Sequence, residues 1–288
     1  MERALNEILY LTDDGRMICG VKDKDIRNLV IPQGVEVIYN GAFKRCFSLQ
    51  SIVIPNSVTT IGKYAFLGCF SLQDIDIPNS VVSVGDGVFH QCKSLQSVNL
   101  ANGITSIQQA MFFGCNSLQR INIPNSTTYI GAYAFSGCHA LKSIDLPNGI
   151  TTIQNGTFVM CKSLQSIDIP PSVTSIGDYA FPNCKSLLDI DIPNSVVSIG
   201  IHAFYGCDSM RNVNIPSSIV TIGECAFKNC KSLQNIYFRN MEIEKCNIAL
   251  DVFEGVDFDN CILHIPYGTR WTYRHHPVFE KFKNIVVG

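Results

Sequence analysis

Apolar side chains return along this chain in one phase every 23 residues. In one copy Leu72, Ile75 and Ile77 alternate with Asp74 and Asp76, which is the period-2 signature of a strand buried on one side. Pro78 follows, where a missing N–H ends the ladder, and Asn79 and Ser80 supply turn chemistry. Val81 and Val84 make the next inward pair. The phase of Gly62 is expected to need a relaxed φ, and Ala65-Phe66-x-Gly68-Cys69 is expected to form one helical turn of 3₁₀ type. Per copy, the residues at Val58, Ile61, Ala65, Phe66, Cys69, Leu72, Ile75 and Ile77 point inward. Phenylalanine holds its phase from Phe43 to Phe227 and cysteine from Cys46 to Cys230, through nine copies.

A period in the range of about 20–29 residues with an L-x-x-I-x-I core reads as a leucine-rich repeat solenoid. The expected class is an α/β leucine-rich repeat, right-handed and mostly β with short helical turns. A concave parallel β-sheet lines one side, and both ends are capped. Residues 1–28 read as an N-terminal β-hairpin cap, because Asp13-Asp14-Gly15 separates two apolar-rich segments. Residues 29–238 carry nine full repeats, and residues 239–288 read as an irregular insertion, a last strand and a C-terminal cap. One array with two caps is therefore preferred to two globular units.

The Ile-Gly-x-x-Ala-Phe-x-Gly-Cys-x-Ser-Leu-x-x-Ile-x-Ile-Pro-x-Ser-Val pattern, the Asp-Gly hairpin and the exit Leu263-His264-Ile265-Pro266-Tyr267-Gly268-Thr269 resemble the BspA-like leucine-rich repeat family. The resemblance implies a non-enzymatic protein-binding repeat protein of the cell surface or extracellular space. Its partners would be host extracellular-matrix or plasma proteins such as fibronectin and fibrinogen. Met1-Glu2-Arg3-Ala4-Leu5-Asn6-Glu7 does not read as a secretory leader, because charge interrupts it and no small-residue cleavage site follows. An intracellular interaction scaffold in the cytoplasm is therefore the alternative.

Composition narrows the partners. Net charge is −2 with a sequence pI near 6.3, and no block of like charge invites nucleic acid or an anionic membrane. No apolar run is long enough for membrane insertion, and a monomer is expected. Nine of the thirteen cysteines share one inward phase, which makes them buried thiols rather than a disulfide framework. Paired C-x-x-C spacing is missing, so neither a metal nor another cofactor is expected.

Candidate recognition residues lie between and beside the inward isoleucines. They are Asp74, Asp76, Asn99, Asn122, Asp145, Asp168, Asp189, Asp191, Asn214 and Tyr237. Carboxylates held about 4.8 Å apart repel one another and attract basic groups, with Asp145, Asp168 and Asp191 expected in one line. The plainer reading is a solvated face that discourages sheet-to-sheet association. Lys63 and Asp178 are expected on the opposite face. A second column, which includes Lys93, Lys162, Lys185 and Lys231, reads as a soluble rim. For catalysis, His90, His139 and His202 fall at separate outward phases, and no nucleophile stands with a placed base. Alkylation of the denatured protein without reductant should label nearly all thirteen cysteines; a mass showing several bridges would overturn the buried-thiol reading.

Overall fold

The computed structural model describes residues 5–288, with side chains from residue 7 onward, so the first four residues of the N-terminal cap lie outside it. Two compact units divide the chain, Met1–Pro147 and Asn148–Gly288, and each is a parallel β-solenoid with almost no helix. Every coil has three faces. The first carries the longer strands: Asn28–Val30 pairs with Ser51–Val53, and Asp74–Asp76 joins Ser97–Asn99 and Arg120–Asn122. In the second unit Asp189–Asp191, Asn212–Ile215, Asn235–Phe238, Ile262–Ile265 and Asn284–Val287 stack in that order. The register advances one repeat per coil, as in Asp189 beside Asn212 and Asp191 beside Asn214.

The second face carries two-residue strands. Thr60–Ile61 lies between Val37–Ile38 and Ser83–Val84, and the N-terminal hairpin of Leu9–Leu11 and Met17–Val21 extends this ladder. Its turn is built as the Asp-Gly signal requires: Gly15 has φ +70°, and the Thr12 hydroxyl donates to Asp14 Oδ1 at 2.6 Å. The residues expected inward at Val58, Ile61, Ala65, Phe66, Cys69, Leu72, Ile75 and Ile77 are all buried. Phe rings stack coil on coil, 5.2–5.6 Å apart from Phe43 to Phe135 and 5.0–5.5 Å from Phe158 to Phe253.

The third face departs from the helical expectation. Tyr64, Phe66 and Gly68 donate their N–H groups to Asp86, Val88 and His90 of the next coil, at 2.8–2.9 Å. Between them Ala65, Leu67 and Cys69 donate three residues back within their own coil. A 3₁₀ run would consume every N–H internally and leave the neighbouring coil's carbonyls orphaned. Left-handed residues turn alternate peptides outward instead, one in the phase of Tyr64 and Gly87 and one in that of Gly68 and Gln91. Eleven described non-glycine residues accept φ of +52° to +62° in this way. The true 3₁₀ segments are Ile243–Lys245 and Phe279–Lys281, near the C-terminus.

The glycine at Gly62 is also used differently from expectation. Its φ is not left-handed, and a Cβ there would lie 2.6 Å from the Asn40 backbone nitrogen. A Cβ on Gly85 would lie 2.5 Å from Lys63 N, so this phase demands close approach of two backbones. Beyond Arg239 the period lengthens while the coil persists. Asn247–Ile248 joins the short-strand ladder beside Thr221–Ile222, and Phe253 stacks on Phe227 at 5.5 Å. Tyr273 and Phe279 then close the core edge-on against Phe238.

These contacts separate two glycines and one methionine. Gly85→Ala should lower stability by about 2 kcal/mol, because backbone cannot yield as a side chain can. Gly103→Ala, with open space at its Cβ, should be near neutral. Met160→Gly should raise stability by about 0.5–1 kcal/mol by relieving φ +56° at an exposed side chain. Urea unfolding of the three variants tests the set, and equal losses at Gly85 and Gly103 would remove the close-approach explanation.

Candidate functional site

The long-strand face of the second unit organises its outward side chains into two hydrogen-bonded rows. In the first, Asn212 Nδ2 donates to Asp189 Oδ1 at 2.6 Å and Asn235 Nδ2 donates to Asn212 Oδ1 at 2.9 Å. His264 Nε2 meets Asn235 Oδ1 at 3.0 Å. Since that oxygen can only accept, Nε2 carries the proton. In the second row Asn214 Nδ2 donates to Asp191 Oδ1 at 2.7 Å, and Arg239 Nε donates to Asn214 Oδ1 at 2.9 Å. Arg239 also lies over the Tyr237 ring, 6.0 Å from its centroid, and Tyr237 stacks on His264 at 4.3 Å.

Asn212 and Asn214 therefore point their N–H groups at carboxylates, Asn235 points its own at the Asn212 amide oxygen, and each amide oxygen faces the donor behind it. Such chains polarise one another and hold their members in place. Tyr237 and His264, stacked from neighbouring coils, are both half-buried. A cleft of about 240 Å³ is lined by Asp189, Asp191, Asn212, Asn214, Tyr237 and Arg239. An adjoining cleft of about 370 Å³ shares Tyr237 and Arg239 and adds Met241, His264 and Pro266.

The first unit carries shorter versions of the same device. Asp74 accepts from the Ser97 hydroxyl, and Asp76 Oδ1 accepts from Asn99 Nδ2 at 2.5 Å, with Asn122 in register beyond Asn99. At Asp74 and Asp76 a donor on the following coil thus stands where a second carboxylate would repel. Asp145 and Asp168 are exposed as outward residues but lie outside the strand ladders, one in each unit. Asp178 is no inert reference position: its Oδ1 accepts the Ile201 N–H at 2.7 Å, as Asn155 accepts that of Asp178. Among the rim lysines, Lys93 sits 4.6 Å over Phe70 and Lys185 pairs with Asp208 at 3.4 Å.

The repeat unit that builds this face matches the model of the BspA type leucine rich repeat region, in six copies over residues 21–142 and 128–261. The chain belongs to the BspA-type leucine-rich repeat family. A T. pallidum leucine-rich repeat protein is 26% identical, with TM-score 0.55, over 81% of this chain and 91% of that one. The pneumococcal vaccine antigen PcpA shares the fold at 20% identity and TM-score 0.61, over 92% of this chain and 68% of that one. No curated protein matches the chain in sequence.

In this BspA-type chain the thiol column has a bonding role. Cys69, Cys92 and Cys115 donate Sγ–H to the carbonyls of Phe43, Phe66 and Phe89, at 3.1–3.2 Å, and Cys184, Cys207 and Cys230 repeat the contact at 3.2–3.3 Å. Burial pushes Cys46 and Cys184 up to about 12, which keeps both thiols protonated and poor as nucleophiles, and leaves Cys184 a donor. All thirteen cysteines are unbridged. Among the described residues no group of three or more His, Cys, Asp and Glu could hold a metal ion, and no helix is long and apolar enough to cross a membrane.

Sequence reasoning missed Asn212, Asn235 and Arg239. The first two continue the phase of Asp189 and were legible as a column, whereas Arg239 stands where other coils carry proline. Burial holds the imidazoles of His90, His264 and His276 below their ordinary 6.5. The unfolded chain takes up these protons first as pH falls, so their contribution to stability is intact above about 6.5 and is lost below it. His264→Gln, which keeps a donor for Asn235, should lessen the drop in melting temperature between about pH 7 and about pH 5. An unchanged drop would assign the slope to groups other than His264.

Proposed function

We propose that the chain is a non-enzymatic protein-binding repeat protein whose docking surface is the long-strand face, centred on Asp189, Asp191, Asn214 and Tyr237. The candidate residues Asp74, Asp76, Asn99, Asn122 and Asp145 occupy the corresponding two outward phases of the first unit, and Asp168 that of Asp191 in the second. Support comes above all from the two hydrogen-bonded rows of the second unit, which hold carboxylates, amides and a guanidinium in fixed positions before any partner arrives. Preorganisation of this kind lowers the side-chain ordering cost of association. Each aspartate also spends only one oxygen on its amide neighbour, so the other remains for a basic group of the partner. The family resemblance supports an adhesive role toward host proteins at the cell surface as the setting. An intracellular scaffold is the alternative, and fractionation of the source cells separates the two.

The test is capture from extracellular-matrix extract and from the source cells' own lysate, in parallel, on wild type and on the Asp189→Lys, Asp191→Lys double variant. Charge reversal should abolish capture of the main partner while cooperative unfolding is retained, because exposed positions carry little core energy. Glu224→Lys, on the third face, should bind like wild type. Unaltered capture by the double variant would move recognition to another surface.

A further inference from the structure

Four Asn-Gly pairs occur in the chain, at Asn40, Asn102, Asn148 and Asn155, and the solenoid treats them in two opposite ways. At Asn40-Gly41 and Asn155-Gly156 both groups that could react together are committed to the next coil. Asn40 Oδ1 accepts the Lys63 N–H at 2.8 Å while Gly41 N donates to Lys63 O at 2.9 Å. Asn155 Oδ1 accepts the Asp178 N–H at 2.9 Å while Gly156 N donates to Asp178 O at 2.9 Å. Each pair is thus pinned across one residue of its neighbour, with the glycine N–H engaged by a carbonyl rather than free for attack.

Asn102-Gly103 and Asn148-Gly149 lie instead in the exposed turns that follow the long-strand phase. Within its own unit, neither asparagine side chain and neither glycine N–H has a hydrogen-bond partner among the described residues. An added Cβ at Gly103 would meet open space, and the backbone ties of this turn are those of Asn102 itself, whose N–H donates to Asn79 Oδ1 at 3.0 Å and whose carbonyl accepts from the Ser126 hydroxyl at 2.8 Å, leaving the Gly103 nitrogen and the Asn102 side chain uncommitted. Other coils clamp the same turn with a serine hydroxyl. Ser57, Ser80, Ser172, Ser195 and Ser218 donate to a carbonyl of the preceding coil at 2.6–2.7 Å. Gly103 and Gly149 stand in that serine phase and have no side chain to make the clamp.

We propose that Asn102 and Asn148 are sites of self-modification, at which the asparagine side chain converts to aspartate and isoaspartate through a cyclic imide, whereas Asn40 and Asn155 are protected by the fold. The glycine amide gives its proton to solvent base and its nitrogen attacks Asn Cγ. A C–N bond forms, the Cγ–Nδ2 bond breaks, and Nδ2 leaves as ammonia with a proton from water. Water then opens the five-membered imide at either carbonyl, giving aspartate or its β-linked isomer. The net change is amide plus water to carboxylic acid plus ammonia, with no oxidant or cofactor. At Asn40 and Asn155 two hydrogen bonds must break before the attack, which makes the folded-state reaction there slower by at least about tenfold. The product adds a negative charge to the turn beside the proposed docking face, independently of whether that face binds a protein.

The full chain, incubated folded at mildly alkaline pH in heavy-oxygen water, should incorporate label at Asn102 and Asn148 in peptide mass maps, with Asn40 and Asn155 at least about tenfold slower. In denaturant all four should react at similar rates, which shows that the fold sets the difference. Gly103→Ser should suppress conversion at Asn102 and leave Asn148 unchanged. Equal folded-state rates at the four sites, or faster conversion at Asn40 or Asn155 than at Asn102, would overturn the proposal.

Discussion

A coil of 23 residues cannot close a hydrophobic core by itself, so backbone hydrogen bonds from each coil to the next govern everything else in the structure. The two strand faces satisfy this requirement through ordinary parallel ladders. On the third face the backbone must turn while still bonding to its neighbour. Left-handed residues at two phases per coil solve that conflict, and they do so with tyrosine, glutamine, methionine and asparagine as well as glycine. The strain of those non-glycine positions is tolerated because each flipped peptide gives its N–H to a carbonyl that would otherwise be buried without a partner.

Once coil spacing is fixed by backbone, side chains must fit it. Phe rings stack at 5.0–5.6 Å, and the cysteine thiol is small enough to lie beneath them and donate to the phenylalanine carbonyl of the preceding coil, as Cys92 does to Phe66. An alanine at that phase would leave the carbonyl without this donor, and a larger residue would force the coils apart. The glycines at Gly62 and Gly85 obey the same spacing from the opposite direction, since any Cβ would meet the backbone of the coil before. Cysteine, phenylalanine and glycine are thus three consequences of one distance.

That economy explains what could be read in the sequence. Inward positions were legible because burial repeats with the period, and every residue expected inward in the copy around Phe66 is buried. The N-terminal hairpin was legible from Asp13-Asp14-Gly15, a local signal. The geometry of the third face was not, because a segment such as Ala65-Phe66-x-Gly68-Cys69 has helical length, and the left-handed phase is hidden wherever tyrosine or methionine occupies it. Gly62 was noticed for the wrong reason, since a sequence displays a glycine without saying whether torsion or contact demands it. The coil around Phe253 escapes a 23-residue comb because it lies 26 residues after Phe227.

Outward residues are free of the core's demands, and their order along the rows carries the chemistry. An aspartate followed in the next coil by another aspartate would face an acceptor, whereas Asp189 and Asp191 are followed by asparagines that donate to them and accept from behind. The second row ends where the consensus ends. In preceding coils Pro193 and Pro216 close the strand without an N–H; Arg239 occupies this phase, donates its N–H to Ile215 O at 3.1 Å and sends its side chain back over Tyr237 to Asn214. A proline could do neither. The substitution that interrupts the repeat pattern is therefore also the one that sets a guanidinium at the end of the row of Asp191 and Asn214.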